Sequence, residues 1–179
     1  VGDSCIDEFV YGSIFRMSPE APVPVFQPIK KTSNGGMSKN VYNNLIALGV
    51  SSNLITNTEK IVKRRYVDDA HNQMVLRVDT NDECEEIDEI TRMHICNNQY
   101  QDKTYDAIVI SDYCKGFLSK TDIELLCKFN KNVFVDTKKD LGDWIFKADF
   151  IKINDLEHRK NLKFISTNLD KLKDKLIVT

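Results

Sequence analysis

At 179 residues, 41% of them hydrophobic and 9% aromatic, the chain holds enough apolar material to bury one substantial core. Its 25 basic and 27 acidic side chains leave a formal charge of -2, which supplies no field for drawing the protein onto nucleic acid or an anionic membrane. No apolar run approaches the ~20 residues that cross a bilayer, and no basic-then-apolar leader opens the sequence, so the expectation is a cytoplasmic protein that engages neither membrane nor nucleic acid.

Val1-Gly2-Asp3 reads as the close of a strand whose beginning is absent. Phe9 to Gly12 and Val23 to Phe26 read as extended, with Pro19, Pro22 and Pro24 confining that stretch to edges and turns. Gly35-Gly36 is expected to open a helix running to about Leu48, with Val41, Leu45 and Leu48 on one face and Gly49 as its stop. Ser52 to Thr56 predicts a short strand. Lys60 to Val67 and Gln73 to Asp79 alternate around Asp68 to Asn72 and predict a β-hairpin.

A polar, glutamate-rich helix is expected over Glu85 to Asn97, followed by the apolar run Ala107 to Ile110, which suits a strand buried on both faces. Leu118 to Phe129 predicts a helix, Val133 to Val135 and Phe150 to Ile153 predict strands, and a lysine-rich helical stretch leads to a buried terminal strand at Lys175 to Thr179. Strands alternating with helices imply an α/β fold with a parallel sheet.

Five cysteines lie scattered without a CxxC pair, which fits a reducing compartment, and the three histidines match no zinc-binding spacing. The polar residues at strand ends carry more chemistry. Asp3 and Asp7 emerge where ligands of open α/β sheets sit and can accept hydrogen bonds from sugar hydroxyls; equally, Asp3 can cap a turn and Asp7 can be merely exposed. Gly35 and Gly36 let backbone approach a ligand, with Asn40 offering a donor and an acceptor, although glycines before helices are common. Asp112 and Lys115, then Asp136 and Lys138, then Asn154 and Glu157 follow three consecutive strands, so one rim repeatedly presents carboxylate, lysine and amide. That pattern favours a cleft that handles sugar or phosphate over an ordinary set of polar loops.

In order, these segments read GDxxxD, RxSPEAPVPV (Arg16 to Val25), GGxxxN, SDYxKG, DxK and NxxE. Together they resemble the PfkB/ribokinase family of carbohydrate kinases, and the decapeptide is similar to the signature of its heptose-phosphate kinase branch. The resemblance covers nearly the whole chain. It implies a ribokinase-like, mainly parallel sheet flanked by helices, with a small β lid around 8-33 and 60-79. It also implies ATP and Mg²⁺ as cofactors, a sugar or sugar phosphate as acceptor, and a homodimer joined through the lid.

By that resemblance Asp7, Gly35, Gly36 and Asn40 hold the acceptor, Lys63 and Arg65 cover it from the lid, and Asp112 and Lys115 complete the substrate site. Lys138, Asn154 and Thr179 fall on the nucleotide side, and Glu157 assists Mg²⁺ indirectly. The family's GAGD segment, with the catalytic aspartate, is expected beyond Thr179, so residues 1-179 read as one partial domain with no catalytic base. Leu54 to Asn57 runs almost directly into Glu59 to Lys63, where family members usually insert another strand and helix, and Met37-Ser38-Lys39 departs from the GGKGAN of ribokinase-type members. The expected activity is ATP-dependent phosphorylation of a sugar or sugar-phosphate hydroxyl; the alternative is a non-catalytic sugar- or nucleotide-binding remnant.

Overall fold

A computed structural model describes residues 1-98 and 104-179. Two four-stranded sheets divide the chain. The first contains β1 (Ser4–Met17), β2 (Pro24–Met37), β3 (Val62–Asp68) and β4 (Gln73–Thr80) in the order β2-β1-β3-β4. It is mixed: β1 runs antiparallel to β2 and parallel to β3, and β3 and β4 form the predicted hairpin. Proline explains its edge. Pro24 begins outer strand β2, and Pro28 faces Gly12 at a register shift, where a missing N–H costs little. The decapeptide from Arg16 to Val25 forms the exposed tip of this lid, closed by Ser18 N donating to Val23 O at 2.8 Å.

The second sheet is parallel, with β5 (Ile108–Asp112), β6 (Val133–Thr137), β7 (Phe150–Ile153) and β8 (Leu176–Val178) in sequence order. The N-terminal residues extend it. Gly2 bridges Ser111 in parallel sense, and Gly2 N in turn donates to Ile55 O at 3.1 Å. The strand expected over Ser52 to Thr56 therefore reduces to a segment with that bond, because among the described residues no ladder forms on its other side.

Between the strands lie α1 (Ser38–Ala47), α2 (Glu89–Cys96), α3 (Lys120–Phe129) and three short helices, α4 (Asp155–Lys160), α5 (Leu162–Thr167) and α6 (Leu169–Leu172). Helix α1 starts later than the glycines predict, since Gly35 and Gly36 remain paired with Ile6 and Cys5 at the end of β2. Helix α2 also starts late. Cys84 N and Ile87 N donate to Lys115 O and Phe117 O, which holds the approach extended until Asp88 caps the helix. Ser119 and Asp122 form a reciprocal capping box at the start of α3.

Ile110, Val133, Val135, Ile151 and Ile153 form the core with Ile123 and Leu126 of α3 and Leu172 of α6. Burial follows the two-residue period of a strand, so only one sheet face is sealed. On the other, Phe134 and Phe150 stack at 4.6 Å and stay 39% exposed, and Val109 of β5 is half-buried, so the run Ala107 to Ile110 is sealed on one face and not on both as expected. Terminal strand β8 is likewise an edge, with Ile177 and Val178 exposed. Helix α1 buries only Ser38; its Leu48 is exposed, while Val41 and Leu45 line an open groove of about 620 Å³ with Leu54, Ile55 and Phe134.

Candidate functional site

The lid strands β1, β2 and β3 converge on the loops that follow β5 and β6, and this junction gathers most of the predicted rim. Asp3 organises it from below. Buried to 1% exposure, its carboxylate accepts from the backbone N–H of Tyr113 (2.6 Å), Phe117 (3.2 Å) and Lys115 (3.3 Å). Burial pushes this carboxyl up from its ordinary value while the three amides pull it down. Asp3 is thus a loop clamp, the turn-capping role that its position also allowed.

Asp7 stands on the lid above that clamp. Its Oδ1 meets Arg65 Nη1 at 2.6 Å, and both side chains remain about one-fifth exposed, at 21% and 23%. Gly36 explains how the carboxylate fits: a Cβ there would lie 2.2 Å from Asp7 Oδ2 and 2.6 Å from Cys5 Sγ. The lid therefore offers an oriented carboxylate, a guanidinium and a backbone with no side chain in the way. Gly35 abuts the Lys39 stem, and Asn40 is exposed on the first turn of α1.

Tyr113 forms the centre of the junction. Lys138 Nζ lies 4.5 Å from its ring centroid and Lys63 Nζ 5.9 Å. Burial raises the Tyr113 hydroxyl, as does the nearby Asp136 charge, and burial lowers the Lys63 ammonium. Lys115 pairs with Asp82 at 2.5 Å instead of standing free. Asp112 is enclosed at 1% exposure, with Oδ1 on Lys139 Nζ at 2.6 Å and Oδ2 on Thr137 Oγ1 at 2.5 Å, so its contact with a ligand would pass through Lys139.

Asn154 and Glu157 close a capping box on α4. Glu157 accepts from Asn154 N at 2.8 Å and Nδ2 at 2.9 Å, and its own N–H donates to Asn154 Oδ1 at 2.8 Å. Thr179 is alongside, its N–H donating to Ile153 O and its carbonyl accepting from Asp155 N. The sequence gives no separate role to Tyr113, which lies inside the SDYxKG segment, or to Lys152. Lys152 pairs with Asp136 at 3.1 Å on neighbouring strands, and its signal was its place two residues before Asn154. Among the described residues no group of three or more His, Cys, Asp or Glu side chains is arranged to hold a metal ion. All five thiols are raised, Cys84 to about 11 and Cys127 to about 12, chiefly by burial, so none provides a ready thiolate nucleophile.

No protein-family model matches the chain. Among curated proteins, the bifunctional protein HldE of Nitratiruptor sp. is 32% identical over 202 residues, using 97% of this chain and 43% of that protein. HldE of Campylobacter jejuni subsp. doylei is 32% identical over 92% of this chain and 41% of its own length. Solved structures agree on the fold. A carbohydrate kinase from Agrobacterium tumefaciens superposes with a TM-score of 0.61 at 12% identity, covering 99% of this chain and 68% of that one. A phosphofructokinase-2 variant from Escherichia coli gives 0.63 at 11% identity, with 99% and 72% covered. The chain has a ribokinase-like fold and is similar in sequence to HldE.

This ribokinase-like chain spans less than half the length of the curated relatives it matches. It is also shorter within the match. Since 97% of 179 residues is about 174, a 202-residue match leaves about 28 positions that this chain does not fill, the size of one strand and helix crossover. The junction at Thr56 to Glu59 is nonetheless tidy: Asn57 accepts from Ser4 N at 2.7 Å and donates to Glu59 O at 2.7 Å.

Proposed function

We propose that the chain carries the acceptor side of a kinase that transfers phosphate from ATP to a hydroxyl of a sugar or sugar phosphate. The observation that supports this most is the Asp7–Arg65 pair lying over Gly36, opposite Tyr113 and Lys138. A carboxylate with hydroxyl-accepting oxygens, a fork of donors and a bare glycine backbone suit a polyol better than an apolar ligand. Asp7, Gly35, Gly36 and Asn40 orient the acceptor, Lys63 and Arg65 cover it, and Asp112 and Lys115 shape the loop beneath. Lys138, Asn154 and Thr179 face the nucleotide.

Mg²⁺ prefers oxygen ligands and retains waters, so one carboxylate acting through the hydration shell is enough for it. Glu157 fits that indirect role, because its two oxygens are already engaged by Asn154. The ion would offset charge on the phosphates. The proton of the accepting hydroxyl needs a base, and the rim carboxylates have other partners: Asp112 holds Lys139 and Thr137, and Glu157 holds its cap. We assign the base to residues outside the 179.

Replacing Asp7 by alanine removes the charged acceptor while leaving the sheets intact. Hydrogen bonds to charged groups are worth roughly 1.5–3 kcal/mol, so Asp7→Ala weakens acceptor binding about tenfold to a hundredfold. Calorimetry with sugars and sugar monophosphates measures this. Unchanged affinity in a folded Asp7→Ala protein takes Asp7 out of the site.

A further inference from the structure

The loop that follows β5 divides its amides between two buried carboxylates. Tyr113, Lys115 and Phe117 donate to Asp3, while Cys114 N donates to Asp112 Oδ1 at 3.2 Å. Cys114 takes a positive φ of 58°, which a residue with a side chain rarely adopts, and Gly116 one of 114°. The carbonyls of the loop are engaged as well, since Lys115 O and Phe117 O accept from Cys84 N and Ile87 N of the linker that leaves the lid. Tyr113 and Lys115 are therefore placed by a loop whose shape depends on Asp3 and Asp112.

Two buried carboxylates around one loop repel. Burial pushes the Asp3 carboxyl up, and the Asp112 charge adds to that push. Of the two, only Asp112 is paired with a cation among the described residues. Lys139 Nζ lies 2.6 Å from its Oδ1, on a side chain only 15% exposed. Thr137 sets both partners: its hydroxyl donates to Asp112 Oδ2 at 2.5 Å and accepts from Lys139 N at 3.0 Å, and Thr137 faces Asp112 in the β5–β6 register. Without Lys139, Asp112 would either stay charged and unpaired in the interior or take up a proton, and either change weakens its hold on Cys114 N.

We propose that Lys139 is a positioning residue of this site, which acts through Asp112 to fix the 113-117 loop and with it Tyr113 and Lys115. Its effect on binding rests on the acceptor reading above; its hold on the loop does not.

Hydrogen exchange and calorimetry on the 179-residue chain test this, with a heptose monophosphate as the acceptor probe and Lys139→Met, Lys139→Arg, Asp112→Asn and the Asp112→Asn, Lys139→Met double variant. Lys160→Met is the control, because Lys160 forms an exposed pair with Asp140, the residue after Lys139. Lys139→Met speeds exchange at the Tyr113, Cys114, Lys115 and Phe117 amides and weakens probe binding about tenfold. Lys139→Arg keeps the cation and retains most of both properties, and Lys160→Met alters neither. In the Asp112→Asn background Lys139→Met adds no further loss, whereas a lysine that merely supports the fold would add its own. If Asp112→Asn does not fold, the contrast between Lys139→Met and Lys139→Arg decides. Unchanged exchange at these amides in Lys139→Met, unchanged affinity despite faster exchange, or fully additive losses in the double variant overturns the proposal. Faster exchange in Lys139→Met with no probe binding even by the unaltered chain removes the acceptor reading and leaves Lys139 as the residue that holds the loop.

Discussion

Gly36 shows how one residue holds Asp7, the carboxylate proposed to bind the acceptor. Because Asp7 Oδ2 occupies the space where a side chain at position 36 would begin, Gly36→Ala has to move either the carboxylate or the β1–β2 ladder, in which Cys5 faces Gly36. Acceptor affinity in Gly36→Ala therefore falls about as far as in Asp7→Ala, with thermal stability lowered as well. Paired calorimetry and melting curves check it, and wild-type affinity in Gly36→Ala would mean that Asp7 is not held by this contact. The sequence singled out Asp7 and Gly36 by residue type, and the structure brings the two into contact. Tyr113 was not singled out, because its role rests on two lysines brought over its ring by different sheets. Asp112 was misleading for a related reason: an aspartate at a strand end looks the same in sequence whether it faces a ligand or, as here, Lys139 and Thr137.

Local rules succeed among the elements where nothing tertiary competes with them. The β3–β4 hairpin lies where alternation places it, and α3 falls within the expected Leu118 to Phe129, begun by the Ser119–Asp122 capping box. Ser119 Oγ accepts from Asp122 N at 3.1 Å, so Ser119→Ala should cost ~1 kcal/mol, or about 2–4 °C in melting temperature for a chain of this size. Acceptor binding should be unaffected, since α3 packs on the sealed face; a change in affinity without loss of stability would contradict that placement. Local rules fail at α1. Two glycines before an apolar repeat signal a helix start, yet pairing with β1 continues through Met37 and delays the helix to Ser38. The expectation that Ala107 to Ile110 is buried on both faces failed similarly, because an apolar run does not reveal how many faces are covered.

For the whole molecule, the lid exposes more apolar surface than a solitary sheet tolerates well. Every residue of β4 is exposed, including Met74, Leu76 and Val78, and Phe15, Met17 and Ile29 are exposed on β1 and β2. Exposed apolar side chains of this kind mark association sites, and the expectation they support is the homodimer joined through the lid that the resemblance implies. Sedimentation should show a dimer that Leu76→Asp converts to monomer; a strictly monomeric unaltered chain at high concentration would refute the pairing. The parallel sheet could be anticipated from the order of periodic segments and the lid from the resemblance, whereas the open face bearing Phe134 and Phe150 could not.

The proposed division between acceptor binding and chemistry is open to a phosphoryl-transfer assay. Labelled ATP is incubated with sugars and sugar monophosphates, and product is measured for the 179-residue chain and for a chimera that continues it with the sequence following the matched region in Nitratiruptor HldE. A general base and a preorganised anion site each contribute about a hundredfold or more to rate, so the chain alone should remain at background and the chimera should transfer phosphate in an Asp7-dependent manner. Robust transfer by the 179-residue chain alone, abolished by Asp112→Asn or Glu157→Gln, would contradict the account and place the catalytic centre within these residues.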